Sequence, residues 1–349
     1  MTIAAGGTAG HVVPALAVAD ALRAQGAEVS FIGGERAEAQ LVPAAGYPLH
    51  RISVSGLSRS NPLAALRALA RAARAFVRAR KLLTQLRPDA VMGGGGYVSG
   101  PVGLAALTRR IPLVLTEADS HIGLANRALA PFARRVCLAF EPESAASERY
   151  RVTGRPIPPP QEDRAAARAR FGVAQDETCV LVFGGSLGAR SINLAAVEAY
   201  AGAAFHVLHV SGRRDYSELV GRAPAAGYDL IEYLDLAAFA DALAAADLVV
   251  ARAGGSLFEV AAHGAPAILV PYPHAAADHQ STNARWMVKA GAAIAIPDDE
   301  LSAARLARET AALLADPARL RAMAAASARL GRPDAAQQVA RELLEAARA

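Results

Sequence analysis

Cysteine is almost missing from this chain. Its 349 residues include two, Cys137 and Cys179, each inside an apolar run (RVCLAF and TCVLVF). No disulfide framework and no C-x-x-C redox or metal pair can be built from them; buried thiols in a reducing, cytoplasmic compartment are the expectation. Lysine is as rare, with only Lys81 and Lys289, so arginine carries nearly all the positive charge. Aromatic residues make up 5%. No nucleic-acid recognition motif or set of stacking aromatics accompanies the arginines, which argues against DNA or RNA as a partner. No D-x-D pair occurs and the histidines lack metal-ligand spacing, so neither a metal nor a cofactor is expected. No run of 18 residues is apolar and charge-free enough to span a bilayer. Met1 leads straight into a strand-like segment, which does not read as a signal peptide.

What is present is an Ala-, Leu- and Val-rich chain, 53% hydrophobic, long enough for about two domains. Charge is unevenly placed. Through Gly154 there are 18 Lys and Arg against 10 Asp and Glu, and after it 19 against 22. A first half at +8 beside a second at −3 points to an anionic partner for the first.

Short apolar runs alternate with stretches of helical spacing: EVSFIG (28–33), DAVMG (89–93), IPLVLTE (111–117), TCVLVFG (178–184), FHVLHVSG (205–212), DLVVAR (247–252) and PAILVPY (266–272). Such alternation implies α/β architecture, with parallel sheets covered by helices on both faces. TGRPIPPPQED (153–163) holds four prolines in five positions and reads as a stiff linker. The expected division is a first domain over 1–154, a linker over 155–163 and a second domain over 164–333. A last helix over 334–349 is expected to cross back onto the first domain. GGTAG (6–10) and GGSLG (184–188) each follow a strand-like start and precede a helical pattern. Two Rossmann-like, doubly wound halves facing across a cleft are therefore expected, with ligands at the carboxyl ends of the strands.

The glycine loops carry the chemistry. A strand ending in Gly-Gly lets the backbone approach a ligand, and the following helix aims free N–H groups and its positive dipole end at the same point. Pro14 is expected in the first helical turn and Gly26 at the stop. Neither G-x-G-x-x-G nor the Walker pattern is matched. The theme nevertheless recurs in GGTAG, GGGGYVSG (93–100), GGSLGAR (184–190) and RAGGSLFE (252–259). Four such loops after predicted strands argue for a cleft that binds phosphate or diphosphate through backbone donors. Beside the first loop, His11 is placed to act as a base or a phosphate donor.

The stretch 61–89 is helical in pattern. Arg67, Arg71, Arg74, Arg78 and Lys81 fall on one stripe, with Leu69, Phe76 and Leu83 opposite. A basic stripe on a basic first half fits peripheral attachment to an anionic membrane surface, the apolar side packing on the domain.

Together GGTAGHVVPALAVA, GGGGYVSGP, GGSLGARSIN, RAGGSLFEVAAHGAP, HQSTNA and KAGAA resemble the MurG family of N-acetylglucosaminyltransferases, in the same order from residue 5 to about residue 295. The resemblance implies the GT-B fold. It also implies a reaction: UDP-N-acetylglucosamine gives its sugar to the 4-hydroxyl of undecaprenyl-diphosphoryl-muramyl-pentapeptide, with inversion, at the cytoplasmic face of the bacterial membrane. It implies site roles as well. Thr8, Ala9 and Gly10 match the first glycine loop near the donor, and His11 matches the family's histidine and leads as base. Gly95, Gly96, Tyr97 and Ser99 match an acceptor loop. Ser186 matches the serine at the donor phosphates, and Leu234 the position whose backbone reads uracil. Gly254, Gly255, Ser256, Leu257 and Phe258 lead to Glu259, which is expected at the ribose hydroxyls. Gln280 is expected at the N-acetylglucosamine hydroxyls.

The chain departs from the family within these motifs. The family's H-E-Q-N is TEADS here (116–120), so Glu117 is kept while Thr116 and Asp119 replace histidine and asparagine. G-N-P-V-R becomes GRPIP (154–158), with Pro158 in the arginine's place and Arg155 in the asparagine's. Asp119 and Glu117 thus join His11 as base candidates. Asp119 and Arg155 are also expected near the donor, with Arg155 supplying the displaced positive charge. The alternatives are a GT-B transferase for another lipid or small-molecule acceptor, a UDP-sugar 2-epimerase, and a non-catalytic nucleotide-sugar-binding scaffold.

Overall fold

A computed structural model describes residues 1–54, 62–141, 147–224, 227–275 and 278–348, with the side chains of 62–70 outside the described set. In chain order the elements begin β1 (Thr2–Ala4), α1 (Ala9–Ala24), β2 (Ser30–Gly33), α2 (Ala37–Ala44), β3 (Leu49–Arg51), α3 (Pro62–Leu86), β4 (Val91–Gly93) and α4 (Gly96–Thr108). They continue with β5 (Leu113–Glu117), α5 (Leu124–Leu129), β6 (Arg135–Leu138), β7 (Tyr150–Val152) and α6 (Arg164–Arg170). Next come β8 (Cys179–Phe183), α7 (Arg190–Ala199), β9 (His206–Val210), α8 (Tyr216–Leu219), β10 (Tyr228–Ile231), α9 (Leu236–Ala245) and β11 (Leu248–Ala251). The last are α10 (Leu257–Ala262), β12 (Ala267–Leu269), α11 (His279–Lys289), β13 (Ala293–Ala295), α12 (Ala303–Leu314), α13 (Pro317–Leu330) and α14 (Ala335–Arg348).

Two compact units result: Met1–Pro158 with Arg332–Ala349, and Pro159–Gly331. Residues 155–158, read from the prolines as linker, are thus part of the first unit, where Arg155 is buried. Each unit holds one parallel sheet. The first runs β3-β2-β1-β4-β5-β6-β7 and the second β10-β9-β8-β11-β12-β13. Both orders are doubly wound, with the chain reversing its direction of strand addition between β1 and β4 and between β8 and β11. The α/β, doubly wound reading of the sequence holds for both.

Central strands are apolar on both faces because helices cover both. Every residue of β1, β4, β8, β9 and β11 is buried. In the first unit α14 packs against α1 through Ala336, Val339, Ala340 and Leu343, joining the core of Ile3, Val12 and Leu16. These four positions recur at helical spacing, so one face of α14 is buried. Glu342, half-buried at the edge of that face, accepts from Arg135 Nε at 2.9 Å. Both thiols are buried, and burial pushes each up to about 12.

Some helix starts are capped by a side chain and others, including those of α2, α5, α8 and α11, are not. Asp163, Asp235, Ser302 and Asp316 cap α6, α9, α12 and α13 by accepting a backbone N–H three residues on. The helices that follow β1, β4, β8 and β11 have no side-chain cap, their cap residues being Thr8, Gly95, Ala189 and Ser256. These are the helices at the two switch points, where doubly wound sheets bind ligands.

Candidate active site

In the first unit three loops leave the carboxyl ends of neighbouring strands β1, β4 and β5. Gly95 and Gly96 have φ of +84° and +71°, which side-chain-bearing residues rarely adopt. Space is missing too. A Cβ on Gly96 would run into the Gly6 carbonyl, and one on Gly95 would lie 2.9 Å from His11 Cδ2. The β1 and β4 loops therefore touch backbone to backbone beside the His11 ring.

Thr8 does not cap α1. Its hydroxyl lies 3.2 Å from His11 Nδ1, leaving Nε2 on the Gly95 side. Burial pushes the His11 imidazole below its ordinary pKa; Asp119 opposes this, Arg155 adds to it, and Glu38 opposes it more weakly. His11 and Asp119 both line a cavity of about 810 Å³, together with Gly95, Gly96, Tyr97, Glu117, His121 and Asn126.

Arg155 is 7% exposed. Its guanidinium donates to Ala118 O at 3.2 Å and to Gly10 O at 2.5 Å. The second contact corrects the reading of Pro14, which lies in the second turn of α1 and not the first. Proline has no N–H for the carbonyl four residues back. That carbonyl is Gly10 O, and Arg155 fills the vacancy. The arginine thereby ties the start of α1 to the loop after β5.

Glu117 is 8% exposed and accepts from Gly123 N at 2.8 Å, Asn126 Nδ2 at 3.1 Å and Asp119 N at 3.4 Å. Burial raises its pKa and these donors pull it back, the Gly123 amide most. Glu117 therefore holds the 118–123 loop in shape. Ser99, expected at the acceptor, is fully buried, and its hydroxyl donates to Gly95 O at 3.1 Å from beneath the loop. Ala9 and Gly10 open α1, as the glycine pattern requires.

Glu38 was not singled out in the sequence. It is fully buried, and its carboxylate accepts from Gly7 N and Gly34 N, each at 2.8 Å. Tyr97 OH donates to the same carboxylate at 3.3 Å. One side chain on α2 thus fixes the loops after β1, β2 and β4. A lone glutamate in ERAEAQLV carries no local signal for this.

In the second unit the loops after β8 and β9 interlock. A Cβ on Gly188 (φ +80°) would meet Ser211 O, and one on Gly212 (φ +78°) would meet Gly188 N. Ser186 and Leu187 stand exposed at the tip. Asn193 anchors this pair from below: Nδ2 donates to Ser211 O and Asp215 Oδ2, both at 2.9 Å, and Oδ1 faces His209 Nε2 at 3.0 Å. His209 Nδ1 lies 2.6 Å from Tyr228 OH. Arg252, opening the loop after β11, is 9% exposed and pairs with Asp298 at 2.5 Å while donating to Ser191 Oγ at 2.8 Å. None of these anchors was read from the sequence.

Gly254, Gly255 and Ser256 are half-buried ahead of α10. The side chains of Leu257 and Phe258 point into the core, Phe258 lying 5.1 Å from the Trp286 ring, so a ligand can meet only their backbone. Glu259 is half-buried in the first turn of α10. Gln280 Oε1 accepts from Tyr272 N at 2.9 Å, leaving its Nε2 beside Gly254. Leu234 packs half-buried on the core after β10. These residues occupy the carboxyl side of one sheet, as those of the first unit occupy theirs.

On α3, Arg71, Arg74, Arg78 and Lys81 are exposed, while Ala75, Ala79, Leu82 and Leu83 are buried with Phe76 packed beside them. The Arg67 and Leu69 side chains lie outside the described residues. Among the described residues no helix is long and apolar enough to cross a membrane.

Residues 1–138 match the N-terminal domain of glycosyltransferase family 28 and residues 179–339 its C-terminal domain. A protein from Moorella thermoacetica, UDP-N-acetylglucosamine--N-acetylmuramyl-(pentapeptide) pyrophosphoryl-undecaprenol N-acetylglucosamine transferase, is 43% identical, with 98% of each chain covered. The crystal structure of Acinetobacter baumannii MurG superposes with a TM-score of 0.78 at 30% identity, covering 99% of this chain and 98% of that one. A UDP-GlcNAc 2-epimerase from Neisseria meningitidis superposes at 0.68 with 14% identity over 99% of both chains, a likeness of fold alone.

Proposed function

We propose that this chain, which belongs to glycosyltransferase family 28 and has its GT-B fold, transfers N-acetylglucosamine from UDP-GlcNAc to the 4-hydroxyl of a muramyl-pentapeptide on an undecaprenyl pyrophosphate. It is an N-acetylglucosaminyltransferase of peptidoglycan synthesis, converting lipid I to lipid II. The observation that carries the reading is the placement of His11 and Asp119 together on the wall of one cavity whose lining combines polar side chains with apolar ones such as Phe76 and Leu104, a surface suited to an amphiphilic acceptor.

In this reading the first unit takes the acceptor and the second the donor. The acceptor hydroxyl gives its proton to His11 Nε2 as its oxygen bonds to the anomeric carbon. The bond from that carbon to the UDP oxygen breaks on the opposite face, so configuration inverts. Burial supports His11 as the base, because a lowered pKa keeps the imidazole neutral near pH 7. Asp119 sits in its field and stabilises the imidazolium that forms, and Glu117 shapes the loop that carries Asp119. The departing UDP is received by the uncapped start of α7 and by Ser186, with Gly254, Gly255 and Ser256 beside it. Glu259 takes the ribose hydroxyls, Leu234 the uracil edge through its backbone, and Gln280 the sugar. Thr8, Ala9 and Gly10 line the reacting sugar, with Arg155 behind them. Tyr97 and the Gly95–Gly96 backbone face the acceptor pyrophosphate.

Exposed Arg71, Arg74, Arg78 and Lys81 support peripheral attachment to an anionic membrane surface at its cytoplasmic face. The test is transfer of labelled sugar from UDP-GlcNAc to a lipid I analogue, with a control lacking acceptor. Transfer by the unaltered chain and its loss in His11→Ala are expected. Epimerised UDP-sugar in the control, without transfer, sinks the reading.

A further inference from the structure

The cavity that holds His11 and Asp119 lacks a balance of charge. Among the described residues its lining includes two carboxylates, Glu117 and Asp119, and no lysine or arginine. The acceptor proposed above brings a diphosphate diester, which is strongly anionic. Backbone N–H groups at the uncapped start of α4 offer hydrogen bonds but no full charge. His11, as the base, works in its neutral form and cannot serve as the counter-charge. One further lining residue can become a cation, and it is His121. Asn126, 2% exposed in the same lining, has a buried Oδ1 without a donor, which independently marks the cavity as one that takes a hydrogen-bonding ligand.

The His121 side chain is exposed, but the loop that carries it is held. Glu117 accepts from Asp119 N at 3.4 Å and from Gly123 N at 2.8 Å, gripping the chain on both sides of residues 120–122. Ser120 Oγ lies 3.1 Å from His121 Nδ1, and among the described residues Nε2 has no hydrogen-bond partner. We infer that His121 Nε2 donates a hydrogen bond to the acceptor's diphosphate and supplies its positive counter-charge, an inference that rests on the pyrophosphate-linked acceptor proposed above. With the Ser120 hydroxyl donating to Nδ1, Nε2 carries a proton even in the neutral ring. An incoming anion favours the cationic ring, in which Nδ1 donates to the Ser120 oxygen and Nε2 to the ligand. The two histidines of the cavity then divide the work. His11 gives up no proton and takes one from the reacting hydroxyl, whereas His121 keeps its proton against the diphosphate and takes no part in bond making.

The test uses the full chain, a short-tailed lipid I analogue as acceptor, and geranyl diphosphate as a competitor that has the diphosphate without sugar or peptide. His121→Ala raises the acceptor KM about tenfold, the loss expected for one charge-assisted hydrogen bond, while kcat and the KM for UDP-GlcNAc hold. The inhibition constant of geranyl diphosphate rises by the same factor, which separates the diphosphate from the carboxylates of the peptide as the group that is met. His121→Arg keeps a cation with N–H donors and brings both constants most of the way back, a rescue that a merely structural role would not give. An unchanged acceptor KM in His121→Ala overturns the assignment, as does a raised KM with no matching rise for geranyl diphosphate. Failure of the unaltered chain to glycosylate the lipid I analogue is a different result: it removes the pyrophosphate-linked acceptor itself, and this role of His121 with it.

Discussion

Arg155 donates to the carbonyl of Gly10, the one main-chain acceptor in the first turn of α1 that Pro14 leaves without its helical N–H. The same guanidinium lies close enough to His11 to lower its pKa, whereas Asp119 raises it.

Two substitutions should therefore move the pH profile in opposite directions. Transfer needs neutral His11, so kcat/KM falls on the acid side as pH drops through the imidazole pKa, which burial sets below 6.5. Arg155→Met removes a depressing charge and shifts this acid limb to higher pH. Asp119→Asn removes an elevating charge and shifts it to lower pH. Profiles measured from pH 5 to 8 that move together, or not at all, would contradict His11 as the titrating base.

Glu38→Gln tests the carboxylate that joins three loops. An amide can accept from only one of Gly7 N and Gly34 N through its oxygen, and turns an N–H₂ toward the other. A buried donor left unpaired costs about 1–3 kcal/mol. Urea denaturation should show a loss in that range, with kcat lowered because Gly7 and Tyr97 are both held by this side chain.

His209 makes the second unit acid-sensitive. Burial pushes its imidazole from 6.5 down to about 4. Below pH 6.5 the unfolded chain binds a proton that the folded one refuses until about pH 4. The associated stability is complete above pH 6.5 and declines through that window, by about 3 kcal/mol. In His209→Gln, with the residue's own cost subtracted at pH 7, the fall in the urea midpoint from pH 7 to pH 4.5 should be visibly shallower.

The α3 stripe predicts charge-dependent vesicle binding. Replacing Arg71, Arg74 and Arg78 by glutamine removes roughly 1 kcal/mol each near an anionic surface, or about a hundredfold in affinity. Sedimentation with anionic vesicles should show that loss, and with neutral vesicles no change.

The strands that the sequence pattern revealed are the covered ones. EVSFIG, TCVLVFG, DLVVAR and their like became β2, β8, β11 and other interior strands, because burial on both faces demands unbroken apolar runs. The four edge strands, β3, β7, β10 and β13, were not singled out. Each has one neighbour in its sheet, and LHR, YRV, YDLI and AIA show mixed burial, so their composition resembles loop. The glycine loops were legible for a related reason: positive φ and backbone contact exclude other residues. What anchors those loops was not. Glu38, Asn193 and Arg252 act across 31, 18 and 46 residues of chain on Gly7, Ser211 and Asp298, and no local spacing encodes such partners. In the sequence Arg155 stands as a displaced charge, but its bond to Gly10 depends on Pro14 lying in the second turn of α1, which no local spacing specifies.

Cys137 and Cys179 carry one further consequence. Thiols that ionise only near pH 12 inside packed cores are silent toward maleimides at neutral pH while the chain stays folded. The natural sequence is thus already a blank background for labelling chemistry. A cysteine added at any exposed position would be the sole attachment point for a fluorophore, without prior removal of the native pair, and slow uptake of label by the unmodified chain would serve as a direct clock for its opening.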